Sequence, residues 1–258
     1  MKPPDEGDFS VEFAAPAEAD TRPVFDEASR VLPTRPEPVM AAVLHPGSSA
    51  WEELRMAAAK VRSFDPPLRC LGLVSASPGE GKTTLAVGLA TALAQEPGRR
   101  VLLLEADLRR PAIEGYLGLP AEQGVGDWLE ETLGRRVPVR RLVPQGVFLL
   151  AGGRFGGRRP ELLQSRRMPP LIAAARQCFD YVVVDCPPLG PVADSLMLQD
   201  LLDGFLCVVR ARHTPLDLIQ KGLERLKAAK VRGVIFNDHR EMLAGSYKYY
   251  ERRYRTGS

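Results

Sequence analysis

Nowhere in these 258 residues does an apolar run approach the ~20 residues needed to cross a bilayer. The opening segment, rich in proline and acids, also lacks the basic-then-apolar plan of a secretory signal. A cytoplasmic protein is expected. Cysteine is scarce: Cys70, Cys178, Cys186 and Cys207 are the only four, with no C-x-x-C pair among them. Three lie in or beside apolar stretches, so they read as reduced core thiols. A dominant charge is missing as well, since 35 Lys and Arg stand against 32 Asp and Glu and leave a net +3. So small a surplus gives no support to a nucleic-acid partner. It is unevenly spread: acids prevail in the first stretch, whereas Lys248, Arg252, Arg253 and Arg255 make the C-terminus basic. Hydrophobic content of 45% and charged content of 26% are those of an ordinary globular protein, and the length suits one α/β domain with tails.

What is present centres on LGLVSASPGEGKTT, residues 71–84. Leu71-Gly72-Leu73-Val74 reads as a buried parallel strand, residues 75–81 as a loop of small side chains, and Lys82 to about Gln95 as an apolar helix. Backbone N–H groups in such a loop can converge on an anion, and the helix N-terminus adds its positive dipole end. The phosphates of a nucleotide are the fitting ligand, cradled by Ser77, Pro78, Gly79, Glu80, Gly81, Lys82, Thr83 and Thr84. Gly81-Lys82-Thr83 matches the end of the P-loop pattern, in which the ammonium reaches the outer phosphates and the hydroxyl ligates Mg²⁺. The first glycine of that pattern falls on Ala76.

Proline recurs through residues 1–48 without a periodic apolar face, so a disordered leader is expected there. Residues 49–240 read as the folded domain. Its first helix, residues 49–64, has Ser48 or Ser49 as cap and Trp51, Leu54 and Ala58 on one face. Apolar strands follow at Val101–Leu104, Val147–Leu150, Tyr181–Val184, Phe205–Val209 and Val234–Asn237. Helices between them are read at Val125–Leu133, around Leu171, Ile172 and Ala175, at Val192–Leu202, and on Leu216, Ile219, Leu223 and Leu226. This alternation predicts an α/β fold with a mostly parallel sheet flanked by helices on both faces. Residues 241–258 form a tail holding Tyr247, Tyr249, Tyr250 and Tyr254, four of the six tyrosines in the chain. Polar neighbours give those rings no apolar period, so they are exposed, able to accept a group or to stack on bases or a membrane surface.

Two strand ends carry further chemistry. Glu105, Asp107 and Arg109 close the strand at Val101, and Asp185 closes the strand at Tyr181, where open α/β sheets place their ligands. Thr83 with Asp185 and either Glu105 or Asp107 would hold Mg²⁺, directly or through water. Asp107 is the candidate general base, helped by the charge of Arg109 in activating a tyrosine hydroxyl whose ordinary pKa is near 10. Asn237, with one donor and one acceptor group, can read an adenine edge.

Taken together, the loop from Ser77 to Thr83, Leu103-Leu104-Glu105-Ala106-Asp107-Leu108-Arg109, the Val182–Pro188 strand, Pro160-Glu161-Leu162-Leu163 with Ser165 and Met168, Asn237 and the tyrosine tail resemble one family. It is that of the bacterial tyrosine kinases of capsule and exopolysaccharide export, in their stand-alone cytoplasmic form, over residues 49–255. The resemblance implies a P-loop NTPase fold and an ATP- and Mg²⁺-dependent autokinase that phosphorylates its own terminal tyrosines between subunits of a homo-oligomer. It also implies control of polysaccharide synthesis and export, and a cognate tyrosine phosphatase. Activation would come from the cytoplasmic segment of a separate membrane-bound chain-length regulator, which recruits the kinase to the inner membrane. Two positions depart from the family pattern. Glu105 stands where the family usually has aspartate, and in the oligomer-forming helix Glu52 and Arg55 fit but Ala58 replaces an arginine. Two other readings share the fold: a partitioning or cell-division ATPase switch, whose signature lysine would fall on Ser77, and a catalytically weak regulator of export.

Overall fold

The computed structural model describes residues 22–25, 30–154, 160–190 and 194–238. In chain order these hold β1 (Val24–Phe25), β2 (Arg30–Pro33), α1 (Pro38–Leu44), α2 (Ser49–Arg62), β3 (Cys70–Ser75), α3 (Lys82–Ala94), β4 (Val101–Glu105), α4 (Ile113–Tyr116), α5 (Val125–Leu129), β5 (Arg136–Val137), β6 (Arg140–Val143) and β7 (Phe148–Leu150). Then come α6 (Met168–Cys178), β8 (Tyr181–Asp185), β9 (Gly204–Arg210), α7 (Leu216–Leu223) and β10 (Val231–Asn237), with 3-10 turns at Pro160–Gln164, Asp194–Leu198 and Ala228–Lys230.

The central strands are apolar on both faces, and successive residues feed opposite layers. On β4, Leu102 and Leu104 join one cluster while Val101 and Leu103 join the other, and on β8 Val182 and Val184 oppose Val183. Helices α5 and α6 cover the first face with Trp128, Leu171 and Ile172. Helices α1, α2 and α3 cover the second with Met40, Leu54 and Leu89. Each such side chain contributes about 1.5–3 kcal/mol by leaving water, so a sheet covered on both sides is what these sequences stabilise. Ser48 caps α2, its hydroxyl accepting from the Trp51 amide at 3.0 Å, as its position before the apolar face implies. At Gly72 a methyl group would lie 2.6 Å from the Phe205 ring, so the middle of β3 has room only for hydrogen.

Among the described residues eight strands make one sheet in the order β10-β9-β3-β8-β4-β7-β6-β2. From β10 to β7 every pairing is parallel; β6 runs antiparallel to β7, and β2 lies parallel to β6. The expected mostly parallel sheet with helices on both faces is present. Since β8 lies between β3 and β4, the loops leaving all three open on one end of the sheet.

The leader is a correction. Residues 30–48 are part of the body: β2 pairs with β6 from Arg30↔Arg140 to Pro33↔Val143, Leu32 is buried, and α1 carries Met40 into the core. Upstream, β1 pairs with β5, and Phe25 meets the Phe179 ring edge-on at 5.3 Å. Proline density misled because an edge strand tolerates proline at its end, and the partner strand lies 110 residues away (Arg30 to Arg140). Smaller differences follow the same logic. Within the stretch read as Val192–Leu202 the structure has the short 3-10 turn Asp194–Leu198, and Leu216, expected inward, is 69% exposed. The tyrosine tail and the boundary at 240 lie outside the described residues.

Candidate nucleotide and phosphoryl-transfer site

Two glycines in the left-handed region, Gly79 (φ 82°) and Gly81 (φ 87°), turn the chain between β3 and α3. A side chain at Gly81 would strike the Asn237 amide, 2.0 Å from an ideal Cβ. Three further contacts brace the loop. Asn237 Nδ2 donates to the Glu80 carbonyl at 2.8 Å, the Thr214 hydroxyl donates to Glu80 Oε1 at 2.8 Å, and the Ala76 amide donates to Glu80 Oε2 at 3.2 Å. The Glu80 side chain is therefore spent inside the protein, and the loop offers a ligand its backbone. Asn237, expected to read an adenine edge, has its donor on the loop carbonyl. That contact gives Asn237 a bracing role that no local pattern displays.

Behind the loop, Lys82 is buried with its Nζ 2.5 Å from Asp185 Oδ1 and 3.7 Å from Asp107 Oδ2. Burial alone would lower the ammonium pKa, but the Asp185 and Asp107 carboxylates outweigh it and hold it above its ordinary value. Burial likewise lifts Asp107; Lys82 opposes and Asp185 reinforces, with a net rise. The thiol of Cys186, next to Asp185, is pushed far above its usual range by burial and is inert.

Glu105 does something else. It faces Asp185 in the β4–β8 register, yet its Oε1 accepts from the Ala112 and Ile113 amides at 2.5 and 2.8 Å and its Oε2 from the Gly152 amide at 2.8 Å. Burial raises its pKa and the three amides pull it back, leaving it at about 7. Both oxygens of Glu105, which the sequence offers as an alternative metal ligand to Asp107, are engaged by the wall of the site. Arg109 also has a partner the sequence did not reveal, Asp194, with Nε 2.5 Å from Oδ2. The structure therefore brings Lys82, Asp107 and Asp185 together beside the phosphate loop and the first turn of α3, which carries Thr83, and sets Glu105 apart. Asp194 and Thr214 were missed because each acts on a residue far away in sequence and belongs to no motif.

Among the described residues no three His, Cys, Asp or Glu side chains group as a metal cage. A hydroxyl and one or two carboxylates are nonetheless the hard oxygen donors that Mg²⁺ accepts beside phosphate and water. One ammonium facing two carboxylates also leaves a negative charge for a cation to balance. Thr83, Asp185 and Asp107 fit such an ion.

A parallel sheet with a braced phosphate loop at its carboxyl end and an acid on the adjoining strand is a P-loop nucleotide-binding domain. The family model of the CobQ/CobB/MinD/ParA nucleotide-binding domain, CbiA, matches residues 71–255, and the chain belongs to that family. Tyrosine-protein kinase YwqD of Bacillus subtilis (strain 168) is 30% identical over 213 residues, 81% of this chain and 90% of that one. The succinoglycan biosynthesis transport protein ExoP of Rhizobium meliloti (strain 1021) is 34% identical over 84% of this chain, which spans only 27% of ExoP. Among solved structures, the kinase domain of Escherichia coli tyrosine kinase ETK superposes with a TM-score of 0.70 at 25% identity, covering 79% of this chain and 82% of that one. Within the CbiA family the chain lies in the bacterial tyrosine-kinase branch.

Proposed function

We propose that this protein-tyrosine kinase transfers the terminal phosphoryl group of ATP to Tyr247, Tyr249, Tyr250 and Tyr254 of a neighbouring copy, in the service of capsule or exopolysaccharide synthesis and export. The observation that carries the reading is the buried triad of Lys82, Asp185 and Asp107 beside a loop that presents only backbone. Loop amides and Lys82 neutralise the phosphates, which is most of what phosphoryl transfer asks of a protein. Mg²⁺ held by Thr83 and Asp185, and through water by Asp107, would supply charge neutralisation on the transferred group. Asp107, whose pKa burial raises, accepts the proton of the tyrosine hydroxyl. The phenolic oxygen bonds to the terminal phosphorus as the bond to the bridging oxygen breaks, and ADP leaves.

The surroundings of this reading follow the family resemblance of the sequence. ExoP is named for succinoglycan transport, and no helix among the described residues is long and apolar enough to cross a membrane. In this reading a separate membrane-bound chain-length regulator recruits and activates the kinase, and a tyrosine phosphatase resets it. Assembly of copies would use the outer face of α2, where Glu52 and Arg55 pair at 3.0 Å; Ala58, fully buried, cannot take part. Ser77 at the position of the partitioning ATPases' signature lysine favours the kinase over that switch.

The test is a phosphotyrosine blot of the full chain with ATP and Mg²⁺, in the presence of the activator segment. Signal is expected in the wild type and absent from Lys82→Met. It should return when Lys82→Met, tail intact, is mixed with an active chain lacking residues 247–258. No signal in any mixture sinks the reading.

A further inference from the structure

The exit of β4 and the turn that follows β8 are joined at one point. Arg109, two residues past Asp107, donates from Nε to Asp194 Oδ2 at 2.5 Å and from Nη2 to Oδ1 at 3.4 Å. The two ends of this pair live in different surroundings: Asp194 is 5% exposed, whereas the Arg109 side chain is 40% exposed. Ser195, next in the chain, donates from its hydroxyl to the Pro187 carbonyl at 2.5 Å, so the turn bearing Asp194 is itself fastened to the segment just after Asp185. A guanidinium is a two-sided fork. Its Nε and Nη2 side is taken by Asp194, while Nη1 has no partner among the described residues. Asp107 and Glu161 bear on the same guanidinium from two other segments.

We propose that Asp194 is a positioning residue, fixing Arg109 so that its Nη1 edge meets the phenolic oxygen of the acceptor tyrosine beside Asp107. The inference rests on the tyrosine-kinase reading above and adds a recognition element to it. Asp107 as a base brings a negative charge next to an oxygen that itself turns negative as its proton leaves. A fixed cation there offsets that repulsion. An arginine on an open loop without a clamp would spread over many rotamers and supply the charge only part of the time. A buried carboxylate in a bidentate pair removes that freedom, and its own burial is compensated by the same contact.

The experiment measures initial rates of phosphate transfer to full-length Lys82→Met chains as acceptor, at varied ATP and acceptor. Enzymes are the wild type, Asp194→Asn, Arg109→Ala and the double variant, each with its melting temperature. Asp194→Asn and Arg109→Ala should each lower kcat by about tenfold or more, leave the KM for ATP within about twofold, and not add in the double variant. Arg109→Lys, which keeps the charge but not the fork, should fall between wild type and Arg109→Ala. Wild-type turnover in Asp194→Asn overturns the proposal. So do losses that add in the double variant, or a loss confined to the KM for ATP and to the melting temperature, which is the mark of a purely structural stitch. A wild type that forms no phosphotyrosine sinks the kinase reading instead.

Discussion

Glu105 and Asp185 are register partners on adjacent strands, both acids, both about 1% exposed, both at the carboxyl end of the sheet. They do opposite work. Asp185 meets an ammonium at 2.5 Å, while Glu105 meets three backbone amides and closes the wall formed by α4 and the β7 exit. The lesson is that a carboxylate at a strand end is assigned by what stands opposite it. Asp185 lies on the strand next to the phosphate loop; Glu105 lies one strand further out, where α4 presents its unpaired N-terminal amides. The longer side chain of Glu105 reaches those amides, and the shorter Asp107 takes the place beside Lys82.

That contrast can be broken from the Asp185 side first. Asp185→Asn removes the charge opposite Lys82 and is expected to cut tyrosine phosphorylation by about 10²–10³, the range for losing one preorganised electrostatic partner. Steady-state rates at saturating ATP check it. Glu105→Ala should act mainly on stability, because it leaves three amide donors, two of them buried, without an acceptor. A cost of about 3 kcal/mol or more follows. For a chain of this size that lowers the melting temperature by roughly 6–12 °C in a thermal melt.

The pH dependence sharpens the same difference. Glu105 is raised from 4.5 to about 7 in the folded protein, chiefly by burial, so the native state holds its proton more tightly than the unfolded chain. Its contribution is therefore largest below about pH 4.5 and is lost as pH rises toward about 7. Urea unfolding should show this decline, at most about 3 kcal/mol in size, and Glu105→Gln should flatten it. The smallest effect is expected at Asn237→Ala, which touches neither acid. Losing its bond to the Glu80 carbonyl should weaken ATP binding by roughly fivefold, about 1 kcal/mol. Titration calorimetry measures it.

Much of this was legible in the residues. The Leu71–Thr84 stretch announced strand, loop and helix, because small residues, a lysine and a threonine at fixed spacing have a physical reason to sit together. The strands at Val101 and Tyr181 and the acids that end them were equally plain. What stayed hidden was non-local. Nothing in Glu105-Ala106-Asp107 says which carboxylate turns toward the lysine, since that depends on α4 and on Gly152, 47 residues away. Asn237, Thr214 and Asp194 brace distant loops and carry no signature of doing so. β2 is four residues long among prolines, and its register is written partly in Arg140–Val143.

That short strand has a practical corollary. A protein trimmed at residue 48, as the proline count invites, would strip β6 of its outer neighbour and remove Met40 and Leu32 from beneath the helices. The bared rim would offer unpaired main-chain groups to any other molecule in solution. A laboratory seeking well-behaved material should keep β1, β2 and α1 with the rest of the chain and treat clumping of the shorter form as the expected penalty.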